Sequence, residues 1–299
     1  MNMENVPIDI QYITMIICSC LSVLGSGYII VSSMLIPKPK PFYLRIVLFI
    51  SISDALRSIT FMIPCNKLDT ELLIVLFAII NDASFLITIL WSTYISIILY
   101  LVVVKSKAEF NKDFKYWSFI SFILIPSLNV LPISTKSHGC SSTICTLSSN
   151  SIGEIWRVSL LYAPAWFLII ASVVACIAIN VEIQKLDLDE IQKYFVRKLI
   201  FYPVILIFEI LPMSICSLLA SLGYLNNSSI LAVVSTNLFA LHGASNSIVY
   251  AMTLDKHRVS NSSVLSRNIV LTAKVDTTDF NTDNLLFGTF SMTSEIGTR

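Results

Sequence analysis

The sequence predicts an all-α fold, a polytopic membrane protein built as a seven-transmembrane helix bundle. Three observations carry this expectation. Seven long apolar stretches fill most of the first 253 residues. The chain is 55% hydrophobic and only 13% charged, where a soluble domain carries about 25% charged residues, and its mean hydropathy is +0.78. Its Lys and Arg fall almost entirely into alternate connections.

A helix needs about 20 apolar residues to cross a bilayer core of roughly 30 Å. Runs this long and uniform leave no room for a barrel, so each is a helix whose backbone satisfies itself. The first span is Ile10–Ile36. Glu4 and Asp9 precede it and no Lys or Arg does, unlike the basic start of a signal peptide, so it reads as a retained helix. The second, Tyr43–Pro64, carries Asp54 and Arg57 and ends at a proline. The third, Leu72–Val104, is the longest and carries Asp82. The fourth, Tyr116–Ile133, holds Pro126 and Pro132, and the fifth, Arg157–Val181, holds Pro164. The sixth, Lys198–Leu222, has Pro203 and Pro212 on either side of Glu209. A proline inside a helix removes a backbone bond and bends it, so these two mark a hinge. The seventh, Ser229–Thr253, carries His242, Asn246 and Tyr250. Residues 254–299, rich in Ser, Thr, Asn and Asp, read as a disordered tail, and residues 1–9 as a short tail at the other end.

Sixteen of the 20 Lys and Arg lie in the 1–2, 3–4 and 5–6 connections and the carboxyl-terminal tail. The remainder are Lys67, Lys136 and Arg157 on the opposite side, and Arg57 within a span. The positive-inside rule makes the basic side cytoplasmic and the amino terminus extracellular, in a multi-pass plasma-membrane protein. Of seven cysteines, Cys65, Cys140 and Cys145 fall on the expected outer side, where disulfides form. Cys65 with Cys145 would tie the 2–3 connection to the 4–5 loop; Cys140 with Cys145 would close a small local ring. Asn226 and Asn227 match the glycosylation pattern close to the membrane.

Ionisable groups inside a span are costly and mark functional sites. Two pairings follow from depth: Arg57 with Asp82, and Glu209 with His242. Together these four residues would line a cavity open to the outside; structural bridges within the bundle are the other reading. The last span has no lysine for a retinal Schiff base. The three histidines, His138, His242 and His257, fall at different depths, so no metal cluster forms. No phosphate-binding loop, nucleic-acid signature, cofactor motif or internal repeat is present, and no enzyme chemistry is expected.

Local motifs carry a resemblance. Gly25-Ser26-Gly27-Tyr28 and Ser51-Ile52-Ser53-Asp54-Ala55-Leu56-Arg57 come first, then Leu90-Trp91-Ser92-Thr93 and Cys145 with Trp156-Arg157. Phe201-Tyr202-Pro203 and Gly243-Ala244-Ser245-Asn246-Ser247-Ile248-Val249-Tyr250 follow. In this order over about residues 25–250 they resemble the cyclic-AMP-receptor-like family of G-protein-coupled receptors. The family's cysteine at the outer start of helix 3 would fall near Leu72–Val75, where this chain has none. His242 stands where the family often has Gln, and Glu209 where it more often has an uncharged residue.

The resemblance implies a receptor that binds a small extracellular ligand and activates a heterotrimeric G protein, with Asp54, Asn246 and Tyr250 as a polar relay. Cyclic AMP is not assumed as that ligand. The alternative is a transporter or channel subunit that uses the buried charges as a permeation path.

Overall fold

The computed structural model describes residues 7–35, 42–105, 111–141, 144–148, 150–185, 190–221, 224 and 229–253. The expected tail after Thr253, the first six residues, and Asn226 and Asn227 lie outside them. The described chain forms seven helices: α1 (Ile8–Leu35), α2 (Phe42–Met62), α3 (Glu71–Val103), α4 (111–135), α5 (Ser151–Lys185), α6 (Glu190–Ser221) and α7 (230–253). A two-stranded antiparallel hairpin, β1 (His138–Ser141) and β2 (Ile144–Leu147), lies between α4 and α5. Five helices are long and apolar enough to cross a membrane. The other two are α2, which carries Arg45, Asp54 and Arg57, and α7, which is broken at Leu241. The molecule is a multi-pass membrane protein.

Its burial pattern is inverted relative to a protein in water. Along α1 the buried positions include Ser19, Ser22, Ser26 and Ser33, while Leu21, Leu24, Val31 and Leu35 are exposed. In lipid, apolar side chains gain nothing by turning inward. Small residues gain close helix packing and hydrogen bonds. The inward face of α1 therefore carries hydroxyls: Ser58 of α2 donates to Ser22 at 2.8 Å, and the Gly243 amide of α7 donates to Ser22 at 3.1 Å. The axis of the bundle is α3, in which every residue from Asn81 to Ser96 is buried.

Helices overrun the apolar windows. Helix α5 starts at Ser151, capped by the Asn150 side chain accepting from Gly153 at 2.6 Å, and α4 starts at Asn111. Hydropathy registers the part in lipid and is blind to a polar turn beyond it. The prolines act in two ways. In α4 and α5 a π-helical turn, Ile120–Leu124 or Arg157–Tyr162, lies just before Pro126 or Pro164. The wider turn relieves the ring's clash with the carbonyl four residues back. In α6 the helix runs through both Pro203 and Pro212.

No strand was expected in the 4–5 loop, and this decides the disulfide. The hairpin lies against the end of α3 and brings Cys140 to a Cα distance of 5.6 Å from Cys65, with which it is bonded. Neither expected pairing with Cys145 forms. Cys145 faces Cys140 across the hairpin, but it is a buried free thiol packed with Cys65 and Ala78. Burial, and then the nearby Asp82 carboxylate, push this thiol up to about 11.

Two outcomes are expected. Because the thiolate is the reactive form, Cys145 should resist alkylation in the folded chain at neutral pH. Its labelling should quicken by about tenfold per pH unit toward 11, as peptide mapping would read. Gly25 approaches α7 so closely that an added Cβ would lie 2.8 Å from the Ala244 Cα and the Gly243 carbonyl, whereas Gly27 has nothing within 4 Å. Gly25→Ala should cost about 1–3 kcal/mol by overpacking, and Gly27→Ala should be near neutral, measured as thermal unfolding in detergent.

Candidate functional site

A cavity of about 280 Å³ opens at the hairpin end of the bundle. Its walls come from the start of α1, from Asn81, Asp82 and Phe85 of α3, from Thr146 of β2, and from Glu154, Arg157 and Tyr162 of α5. Met213 to Ala220 of α6 and Ala232 to Phe239 of α7 complete them. Helices α1 and α5 and the hairpin thus share a site that the sequence placed between helices 2, 3, 6 and 7. The hairpin fixes the α3 wall: Thr146 donates to Asp82 Oδ1 at 2.8 Å, and Asn81 donates to that oxygen at 3.2 Å and to the Cys145 carbonyl at 3.3 Å. Arg157 donates to Glu154 at 2.6 Å and also to the Leu147 carbonyl, and it interacts electrostatically with Asp82.

The floor is aromatic. Phe85 and Phe239 meet edge to face with centroids 5.5 Å apart. Beneath them the Arg57 guanidinium lies 4.1 Å from the centre of the Phe239 ring. This contact joins the cavity to a buried polar core.

That core is a chain of short contacts through four helices. Asp54 Oδ1 accepts from Arg57 at 3.1 Å and from Thr88 at 3.0 Å, and Oδ2 accepts from Asn246 at 2.9 Å. His242 Nε2 lies 3.9 Å from Asp54 Oδ2, too far for a hydrogen bond. Its Nδ1 is 2.5 Å from Glu209 Oε2. A nitrogen and a carboxyl oxygen this close have a proton between them. Ser245 donates to the other Glu209 oxygen at 2.8 Å. The break in α7 aims His242: Leu241 sits at φ −78°, ψ −3°, between a helix ending at Ala240 and one resuming at residue 242.

Of the four residues expected around a cavity, Asp82 lines it; Arg57, Glu209 and His242 lie beneath in the core. The expected Glu209–His242 contact is present. The expected Arg57–Asp82 pair is not: Arg57 turns inward to Asp54, one helical turn away on α2, and Asp82 turns to the hairpin. Of the expected relay, Asp54 and Asn246 touch. Tyr250 is buried one turn further along, edge to face with Tyr28 at 6.1 Å. Pro203 and Pro212 lie on either side of Glu209 within α6. Sequence reasoning missed Thr88, Ser245, Thr146 and Asn81, because an uncharged polar residue in or near a span costs less to bury than a charge and stands out less. Arg157 was visible only as one of the few cations on its side. Among the described residues no metal-ligand cluster occurs.

Known proteins match at two levels. No protein-family model matches the chain. Over 174 residues it is 26% identical to cyclic AMP receptor-like protein A of Dictyostelium discoideum, which bears out the resemblance in the motifs. That match takes in 56% of this chain and 44% of the relative, so the chain spans less than half of the relative's length. In fold it is similar to squid rhodopsin, with a TM-score of 0.67 over 91% of this chain and 90% of the other, at 16% identity. The architecture is therefore that of a seven-transmembrane helix bundle.

Removing one partner of a buried pair strands the other, at a cost of about 3–5 kcal/mol. Glu209→Gln and His242→Ala should each lower folded yield and thermal stability. The double variant should recover part of the loss, with a coupling of about 1–3 kcal/mol in a double-mutant cycle. Simple additivity would show that the contact carries no energy of its own.

Proposed function

We propose that the chain is a G-protein-coupled receptor whose small extracellular ligand occupies the cavity at the hairpin end. The observation that carries this reading is the path of contacts from the cavity floor through Phe239, Arg57, Asp54 and His242 to Glu209. It ends on the helix with two internal prolines. A ligand moves an equilibrium only by contacting two arrangements differently. One that presses on Phe85 or Phe239 changes the seat of Arg57, and with it the partners of Asp54. Glu209 then shifts against His242, and α6 bends about Pro203 and Pro212.

The end of the bundle opposite the cavity, where α3 ends at Val103 and α5 at Lys185, faces the cytoplasm in this reading, and the described basic residues near it, among them Lys185, Arg197 and Lys198, meet the G protein. Lys198 already holds the end of α7, donating to the Met252 carbonyl at 2.9 Å. The curated relative is named for cyclic AMP, which makes that nucleotide the first ligand to test. Permeation along the same charges is the rival, and Phe85 and Phe239 would lie on its path.

The direct test is ligand-dependent nucleotide exchange on a purified heterotrimeric G protein, with the full chain in nanodiscs. Exchange above basal level supports the reading. Solute or ion flux in liposomes without exchange overturns it. A tag at residue 2 should be reached from outside intact cells, and one at residue 299 only after permeabilisation. Asn246→Ala, which removes one donor to Asp54, should keep surface expression and lower the maximal exchange response at least several-fold. An unchanged response would remove Asn246 from the path.

A further inference from the structure

The charged groups of the bundle form two layers of the same composition. The lower layer sets two carboxylates, Asp54 and Glu209, against one guanidinium, Arg57, and a fourth group, His242, lies between the carboxylates. Among the described residues the upper layer, in the cavity wall, sets Asp82 and Glu154 beside Arg157. Arg157 is committed to Glu154 and to the Leu147 carbonyl. Asp82 is 2% exposed. Its Oδ2 has no hydrogen-bond partner, nor has the Asn81 amide oxygen, and both residues line the cavity. Where the lower layer has an imidazole, the upper layer has the space of the cavity.

Resting on the receptor reading, we propose that the cavity takes a small organic cation with an apolar body, and that Asp82 is its counter-ion. A buried carboxylate without full compensation is costly, and a cation donating to Asp82 Oδ2 and the Asn81 carbonyl removes that cost. The apolar body meets Phe85, Phe239 and Met213, where aromatic faces also favour cations. The surrounding field has the same sign. At the hairpin end the described residues include the acids Asp9, Asp69, Glu71, Asp82 and Glu154 against Lys67, Lys136 and Arg157. His138 adds little positive charge, because burial holds its imidazole below the ordinary range. An anion such as a cyclic nucleotide would have to displace Glu154 from Arg157 and then sit beside Asp82.

The test is thermal unfolding of the purified full chain in detergent, with three probes at millimolar concentration. These are 2-phenylethylamine, its carboxylate counterpart 3-phenylpropanoate, and cyclic AMP. The amine should raise the midpoint by about 2–4 °C, and the two anions should not. Asp82→Asn should abolish the amine's shift while keeping an oxygen that accepts from Thr146. A larger shift with either anion overturns the assignment. So does an equal shift with amine and carboxylate, an amine shift that survives Asp82→Asn, or no shift with any of a panel of primary amines of this size. The comparison of probes on the unaltered chain needs no variant to fold. Exchange driven by an anionic agonist would keep the receptor reading and sink this one. Amine binding without ligand-dependent exchange would do the reverse.

Discussion

One carboxylate organises this bundle. Asp54 has no exposed surface and takes hydrogen bonds from its own helix, from α3 and from α7. In a lipid-facing bundle the apolar surface has little preference for inside over outside, so it cannot specify which helices meet. A buried ion can. Each group that approaches Asp54 either finds an oxygen or is left unpaired where that is expensive. The position of α2 against α3 and α7 is set by this requirement. The serines of α1 and the glycines Gly25 and Gly243 then let the fourth neighbour close to backbone distance.

The number and order of helices were legible because a bilayer imposes one length and one kind of side chain on every crossing segment. Asp54, Glu209 and His242 were legible for the same reason: a charge in a span stands out against its background. Partner choice was legible only in part. Glu209 and His242 share a depth and their helices are adjacent, so depth alone paired them. Arg57 had carboxylates within reach at two depths, and depth could not choose. Asp54 holds it at 3.1 Å, while Asp82 turns to Thr146 of the hairpin. The hairpin was the missing premise. Its strands are four residues each and carry Gly, Ser, Thr and Cys, too short and too mixed for a periodic signal. The Cys65–Cys140 bond, the seat of Asp82 and the α3 wall of the cavity all follow from it.

The two proline patterns bear on movement. In α4 and α5 a π turn has already absorbed the strain of Pro126 and Pro164, and these helices pack without a remaining reason to bend. In α6 both prolines sit in continuous helix, with the missing backbone bonds uncompensated by a local turn. Glu209 lies between them and is held from α7 by His242 and Ser245. A helix that bends easily and is restrained at one buried point has its equilibrium governed by that point.

In the receptor reading proposed above, Phe239 would couple the cavity to a core that does not line it. The ring excludes whatever occupies the cavity from Asp54 and Glu209, so those charges keep their low-dielectric surroundings. It also offers Arg57 a π face at 4.1 Å, an attraction that depends on ring orientation. Rotation of the ring by an occupant weakens one of the few favourable contacts of a guanidinium whose Nε and Nη1 have no hydrogen-bond partner. Arg57 then leans further on Asp54, and Asp54 has less to offer Asn246 and His242. In the receptor reading proposed above, the cavity and the core would exchange no charge and no ligand but the orientation of one ring, and the scarcity of hydrogen-bond partners around Arg57 would make that orientation count.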